Sequence, residues 1–190
     1  MTTSDRGKTF DSNPDSFVDL TAEANLGHSQ NAAKRTHGSV TGLDLKSEIF
    51  QNFVDGRTLL NNAGETLSTD EMATLKTHRD AIVAGWEQAV AATVVHYLNQ
   101  QLVDLATWGS EEFSFATYAK HWSELKGFSL GLQFNPRSPL SGADFADFHA
   151  KIGDAPILPP GDFVALKIAL VEARALLLDA YQFSPQDAIS

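Results

Sequence analysis

The residues best suited to chemistry lie in one short stretch, Tyr118-Ala-Lys-His121-Trp-Ser-Glu124-Leu-Lys-Gly127-Phe-Ser-Leu-Gly131. On a helix, side chains three apart share a face, so His121 and Glu124 would present an imidazole and a carboxylate together. A pair of that kind can bind one metal ion. Glu124, Gly127 and Gly131 share a face as well. Glycines four apart admit a second backbone, so Glu124 is expected to point at a neighbouring helix. A carboxylate placed there needs a cation or hydrogen-bond donors. The plainer alternative is that His121 closes a polar contact at the edge of a bundle and Glu124 pairs with an Arg or Lys. Two-residue patterns arise often by chance.

His96 is the third candidate ligand. It lies 12 residues before Trp108, and His121 lies 13 after it. If the helices on either side of Trp108 pack antiparallel, the two imidazoles sit at about the same height at 1.5 Å per residue. His96, His121 and Glu124 would then converge on one ion. The alternative for His96 is a satisfied core histidine, since histidine is of intermediate burial. Arg57 shares a face with Phe53 and Leu60. It is either a buried cation paired to Glu124 or Glu87, or a guanidinium reaching back to water. His149, with Asp144 and Asp147, reads as a surface cluster, and His28, His37 and His78 read as exposed. Trp86, Trp108 and Trp122 read as core anchors.

Several chemistries find no signature. No HExxH or phosphate-binding P-loop occurs, and the GxSxG spacing of Gly127-Phe128-Ser129-Leu130-Gly131 falls within a helical run, not on the strand-to-helix turn that a nucleophile elbow needs. The absence of cysteine removes thiol catalysis, thiolate metal sites and disulfides. A formal charge of -10 with no basic run argues against nucleic acid, which needs clustered Lys and Arg, and against anionic lipid surfaces. No apolar run approaches the ~20 residues that span a bilayer. Met1 to Ser16 is polar and shows no apolar signal-peptide region, so the chain is expected to be cytosolic or to lack the start of a longer precursor.

Helices must position these residues. Asn13-Pro14 looks like a helix start, with Phe17, Leu20 and Ala24 on one face. Residues 27–42 read as a polar loop. A helix from about Leu43 to Asn61 would bury Leu45, Ile49, Phe53 and Leu60. Ser68 or Thr69 caps a long helix to about Ala106, with Asp70 and Glu71 in its first turn. Leu75, Ile82, Ala89, His96 and Val103 recur every seven residues in it, which is bundle-core spacing. Ser110 is expected to start the next helix, which reaches about Phe134 before Asn135-Pro136. Ser141 begins a short helix to about Ile152. A stiff Gly/Pro connector leads to a last helix from Asp162 to about Gln182, with Leu166, Leu170, Ala173 and Leu177 inward. No strand pattern or repeat stands out. The fold class is all-α, an antiparallel bundle of five to six helices. Residues 1–42 form a polar N-terminal segment with a short helix, 43–183 the bundle, and 184–190 a tail.

The segments Phe53-Val-Asp-Gly56-Arg57, Leu60-Asn61-Asn62, Trp86-Glu87-Gln-Ala-Val90 with His96-Tyr97, Lys120-His121-Trp122-Ser-Glu124-Leu-Lys-Gly127-Phe128, Leu132-Gln133-Phe134-Asn135-Pro136 and Ile152-Gly153-Asp154-Ala155-Pro156 together resemble an uncharacterised domain family related to the imelysins. The similar segments spread over about residues 43–183. The resemblance implies an α-helical protein of the bacterial periplasm or envelope, often iron-regulated, in a group where some members are regarded as peptidases. It also implies a metal-binding GxHxxE motif. His121 and Glu124 match its HxxE part, and Ala119 stands where the motif has Gly. The resemblance further implies that the chain corresponds to the C-terminal portion of longer exported proteins, whose missing helices would leave apolar faces open to association.

Three functions are therefore expected in order. The first is a module that binds a divalent metal, iron or a metal-linked ligand through His121, Glu124 and His96. The second is a metallopeptidase, for which a water-activating metal needs a further carboxylate as base that the sequence does not supply. The third is a helical interaction domain without metal.

Overall fold

The computed structural model describes residues 28–36, 43–158 and 161–184. The expected helix start at Asn13-Pro14, the side chains of His28 and His37, and the 184–190 tail beyond Ser184 lie outside the described residues. Within them the protein is all-α, with six α-helices and no strand. They are α1 (His28–Lys34), α2 (Leu45–Asn62), α3 (Thr69–Ala106), α4 (Phe115–Gly131), α5 (Gly142–Ile152) and α6 (Phe163–Tyr181), with a 3-10 turn at Leu132–Phe134. No described helix is long and apolar enough to cross a membrane. The loop expected over 27–42 is corrected by α1. Its Ala32 is fully buried, and that apolar contact stabilises a short helix that isolated propensity would not.

Helix starts follow local chemistry. Asp44 caps α2 by accepting from Ser47 N–H at 3.1 Å. Ser68 and Glu71 form a reciprocal capping box on α3: Ser68 N–H donates to Glu71 Oε2 at 2.7 Å, and Glu71 N–H donates to Ser68 Oγ at 3.3 Å. The same hydroxyl and backbone contacts hold the Glu71 carboxyl below its ordinary range. Asp162 caps α6 through Val164 and Ala165. Ser110 does not start α4, contrary to expectation. Its hydroxyl donates to Thr107 O and accepts from Glu112 N–H, which closes a turn. Ser114 caps α4 instead. At the other end of α5, Gly153 adopts φ +75° and donates its N–H to His149 O, a left-handed stop that suits glycine.

The described residues cluster into two compact units, dividing inside α3 between Ala89 and Val90. The first unit holds α1, α2 and α3 as far as Ala89. Its core joins Ala32, Leu45, Ile49 and Ala89, with Leu43, Ile82 and Trp86 packed against it. α2 and α3 run antiparallel there, since Ile49 meets Gly85, Phe53 meets Trp86, and Gly56 faces Leu75. A Cβ on Gly85 would lie 2.7 Å from Ile49 Cγ1, so glycine is what lets α2 approach. Phe53 and Leu60 were expected in the buried face but are 47% and 51% exposed. They lie beyond the point where Leu45 and Ile49 close on the core.

The second unit holds α3 from Val90 with α4, α5 and α6. Ala91 to Val95 are buried consecutively, and Val103 is 59% exposed. The strict sevenfold stripe is thus corrected: this stretch is enclosed on every side, and an enclosed helix has no single inward seam. Tyr97 stacks on Phe128 and Gln101 donates to Tyr118 O at 2.8 Å, which sets α3 and α4 antiparallel. α6 buries Leu170, Ala173, Leu177 and Tyr181 and joins α5 through Lys151 and Glu172, 2.7 Å apart. Val164, Ile168 and Val171 form an exposed apolar stripe on its other face.

Replacing Ser68 with Ala removes one half of the capping box and is expected to cost about 1 kcal/mol. Urea denaturation of S68A against the parent checks it, and an unchanged midpoint would mean that the box does not hold the start of α3.

Candidate functional site

The polar centre of the second unit lies between the end of α3 and the start of α4. His121 Nδ1 sits 2.7 Å from Asp104 Oδ2, and the two side chains are 15% and 12% exposed. A carboxylate only accepts, so Nδ1 carries the proton and donates. In the neutral imidazole the lone pair then resides on Nε2, which makes no hydrogen bond with a described residue. Gln101, fully buried, lies one turn before Asp104. Its amide nitrogen donates to Tyr118 O at 2.8 Å and lies 3.5 Å from Asp104 Oδ2. Its Oε1 is buried without a partner among the described residues. The ring of Tyr97 stands 6.2 Å from that of His121 and stacks on Phe128 at 5.9 Å. This is an oriented imidazole, the arrangement that raises ligand basicity in metal sites and fixes the tautomer of a general base.

The other expected ligands are not gathered here. His96 lies eight residues before Asp104 on the same helix, about 12 Å along the axis. It packs edge-on against Tyr97 at 5.1 Å. The equal heights deduced from Trp108 assumed helices reaching that residue, whereas residues 107–114 are not helical. Glu124 is half-buried and lines a shallow recess of 340 Å³ with Ser123, Gly127 and Phe128. It makes no hydrogen bond or ion pair with a described residue. A Cβ on Gly127 or Gly131 would meet no described atom within 4 Å, so among the described residues no helix makes the close approach expected at these glycines. Among the described residues, no three His, Asp or Glu side chains form a group able to hold a metal ion. Arg57 is exposed.

The other faces of the same stretch do a different job. Tyr118, Trp122 and Lys126 recur every four residues along α4. Tyr118 Oη accepts from Ile157 N–H at 3.1 Å, Trp122 Nε1 donates to Ile152 O at 3.1 Å, and Lys126 Nζ donates to Gly153 O at 2.7 Å and Asp154 Oδ1 at 3.0 Å. These three side chains hold the end of α5 and the connector after it. Burial pushes the Tyr118 phenol up; the Ile157 N–H opposes this and the Asp104 carboxylate adds to it. Trp108 is anchored separately, stacked on Phe163 at 3.5 Å and against Phe113 at 4.3 Å.

His149 departs from the surface cluster expected of it. Both ring nitrogens are buried with no hydrogen-bond partner among the described residues, and the ring packs 4.3 Å from Phe145 and 5.5 Å from Phe148. Burial first, and then the Lys126 ammonium, push its pKa down. The Ser129 backbone and Asp154 oppose them, although Ser129 does not reach hydrogen-bond geometry with either nitrogen. A histidine harder to protonate folded than unfolded gives up stability as pH falls below the unfolded value of 6.5. The native protein should therefore lose stability between about pH 7.5 and about pH 5.5, and His149→Leu should lose less over that window. Urea midpoints at both values test this, and equal losses would place the imidazole in water.

Sequence reasoning found His121 and missed Asp104 and Gln101. Their signal was the spacing Tyr97, Gln101, Asp104 on one helix face, polar groups where a core stripe should continue. Comparison of the chain with family profiles, with curated proteins and with solved structures finds no match.

Proposed function

We propose that the second unit is a binding module that offers the His121 imidazole to a metal ion or, better, to a metal-linked ligand. The observation that carries this reading is the 2.7 Å contact between His121 Nδ1 and Asp104 Oδ2. It commits the proton to Nδ1 and leaves Nε2 as an electron-pair donor. A carboxylate bonded to the far nitrogen is the usual outer partner of a metal-ligating histidine. The described protein side chains do not supply a three-ligand cage, so the reading favours a metal that arrives with donors of its own. Glu124, three residues on, sits in the adjacent recess as a polar neighbour rather than a ligand. The iron link and envelope setting that the resemblance implies make iron the first ion to test.

A second reading, a helical scaffold without metal, is favoured by the use of α4. Tyr118, Trp122 and Lys126 all bind the connector around residues 152–157, so much of the polar character of this stretch is structural.

One experiment separates the two. Protein purified without a histidine tag is analysed for bound metal and then titrated with Fe, Zn, Cu and Ca, alongside H121A, D104N and E124A. The binding module predicts saturable binding that is lost in H121A, weakened about 10–100-fold in D104N, and little changed in E124A. It also predicts a rise in melting temperature with metal. A folded protein that binds none of the four ions leaves the scaffold reading in place.

A further inference from the structure

The first unit carries a groove of 680 Å³ between α2 and the N-terminal half of α3. Its walls are Phe53, Leu60, Leu75, Ile82 and Trp86. Phe53 and Leu60 are about half exposed, although the sequence places them on the face that should be buried. Gly56 stands in the lining where α2 passes α3. A Cβ there would meet Leu75 Cδ1 at 3.5 Å and His78 Cβ at 3.7 Å, which is ordinary contact. Glycine is therefore not required by packing at this point, and a side chain longer than Cβ would enter the lining.

Among the described residues that line this groove, the charged side chains are basic. Arg57 from α2 and Arg79 from α3 line it, with His78 between the walls. Among the described residues that line it none is acidic, in a chain with 24 Asp and Glu against 14 Lys and Arg. Arg79 bonds Asp80 at 2.7 Å, with both side chains about half exposed. An exposed pair of that kind is weak and exchangeable. His78 Nδ1 lies 2.9 Å from Asn52 Oδ1. Asn52 gives its amide nitrogen to Glu48 O at 2.8 Å, so its oxygen is the acceptor and His78 Nδ1 carries the proton. The ring is thereby held in place as part of the wall.

An apolar cleft in the size range of small-molecule sites, with a few placed polar groups, is the usual form of a ligand pocket. Positive charge at its edge selects the head group. We infer that this groove binds a small amphipathic acid, an apolar chain ending in a carboxylate, with the chain along Phe53, Leu75 and Trp86 and the carboxylate at Arg57. The inference is independent of the His121 site, since every residue it uses belongs to the first unit.

Dodecanoate is a suitable probe, dodecanol its uncharged counterpart, and equilibrium dialysis of the whole chain with calorimetry reads the binding. Dodecanoate should bind saturably at one site and about tenfold or more tighter than dodecanol. R57E changes an exposed side chain and should weaken dodecanoate about tenfold while leaving dodecanol unchanged. G56L puts a side chain into the groove, raises helix propensity and should remove binding of both. Circular dichroism melts show that each variant is folded. Three results would overturn the inference. The first is a folded protein that does not bind dodecanoate saturably. The second is binding indifferent to R57E and to the head group, which would make the groove an apolar docking surface for a protein. The third is a dimer in sedimentation whose dissociation by R57E, with no dodecanoate binding, shows that a second copy fills the groove.

Discussion

A non-helical connector packed against helices must find partners for its peptide groups, because a buried unpaired N–H or C=O costs about 1–3 kcal/mol. Around residues 152–157 those partners come from α4. Trp122 takes the last carbonyl of α5, Lys126 takes Gly153 O, and Tyr118 accepts the Ile157 N–H. The four-residue spacing puts all three on one helix face, so α4 must keep one rotation about its axis. That rotation turns His121 toward Asp104 and leaves Glu124 and Gly127 on the recess. The orientation of the candidate site is thus a consequence of satisfying the connector.

The same constraint explains why two segments that look unrelated in sequence belong together. The segments 120–128 and 152–156 are joined through Trp122 and Lys126. Those two side chains therefore serve the fold. His121 stands apart from them, since its partner is on α3 and its Nε2 is not used by a described residue. That separation is the physical reason for proposing a binding role for His121, while its neighbours Trp122 and Lys126 hold the connector. Gln101 marks the remaining tension at this centre. One end of its amide is bonded while the other is buried and unmet by any described residue, a cost that the site bears beside Asp104.

The helices were largely legible from the residues because their signals are local. Ser68 with Glu71, and Asp162, stand at real caps, and α3 ends at Ala106 as its periodicity suggests. The inward residues of α6 also follow from spacing, with Leu170, Ala173 and Leu177 buried. The failures occur where a local pattern has two readings that only neighbours decide. Phe53 and Leu60 continue the apolar face of Leu45 and Ile49, yet they flank an open groove. Ser110 is as good a cap by type as Ser114, but its hydroxyl is engaged in the turn after α3. His149 sits among aspartates in sequence and among phenylalanine rings in space.

By itself the sequence determined the all-α class, the run of the long helices, and His121 as a residue worth testing, because helix period, caps and residue type are properties of a short stretch of chain. Only the tertiary structure decided what His121 faces. Asp104 lies 17 residues away, across the non-helical turn between α3 and α4. An error of one helical turn, about 5.4 Å, is enough to exchange one polar partner for another, and the grouping of His96, Glu124 and His121 was within that error. The groove was likewise invisible in the sequence, since Phe53 and Leu60 become the wall of a cleft only where Leu75, Ile82 and Trp86 of α3 stand opposite them.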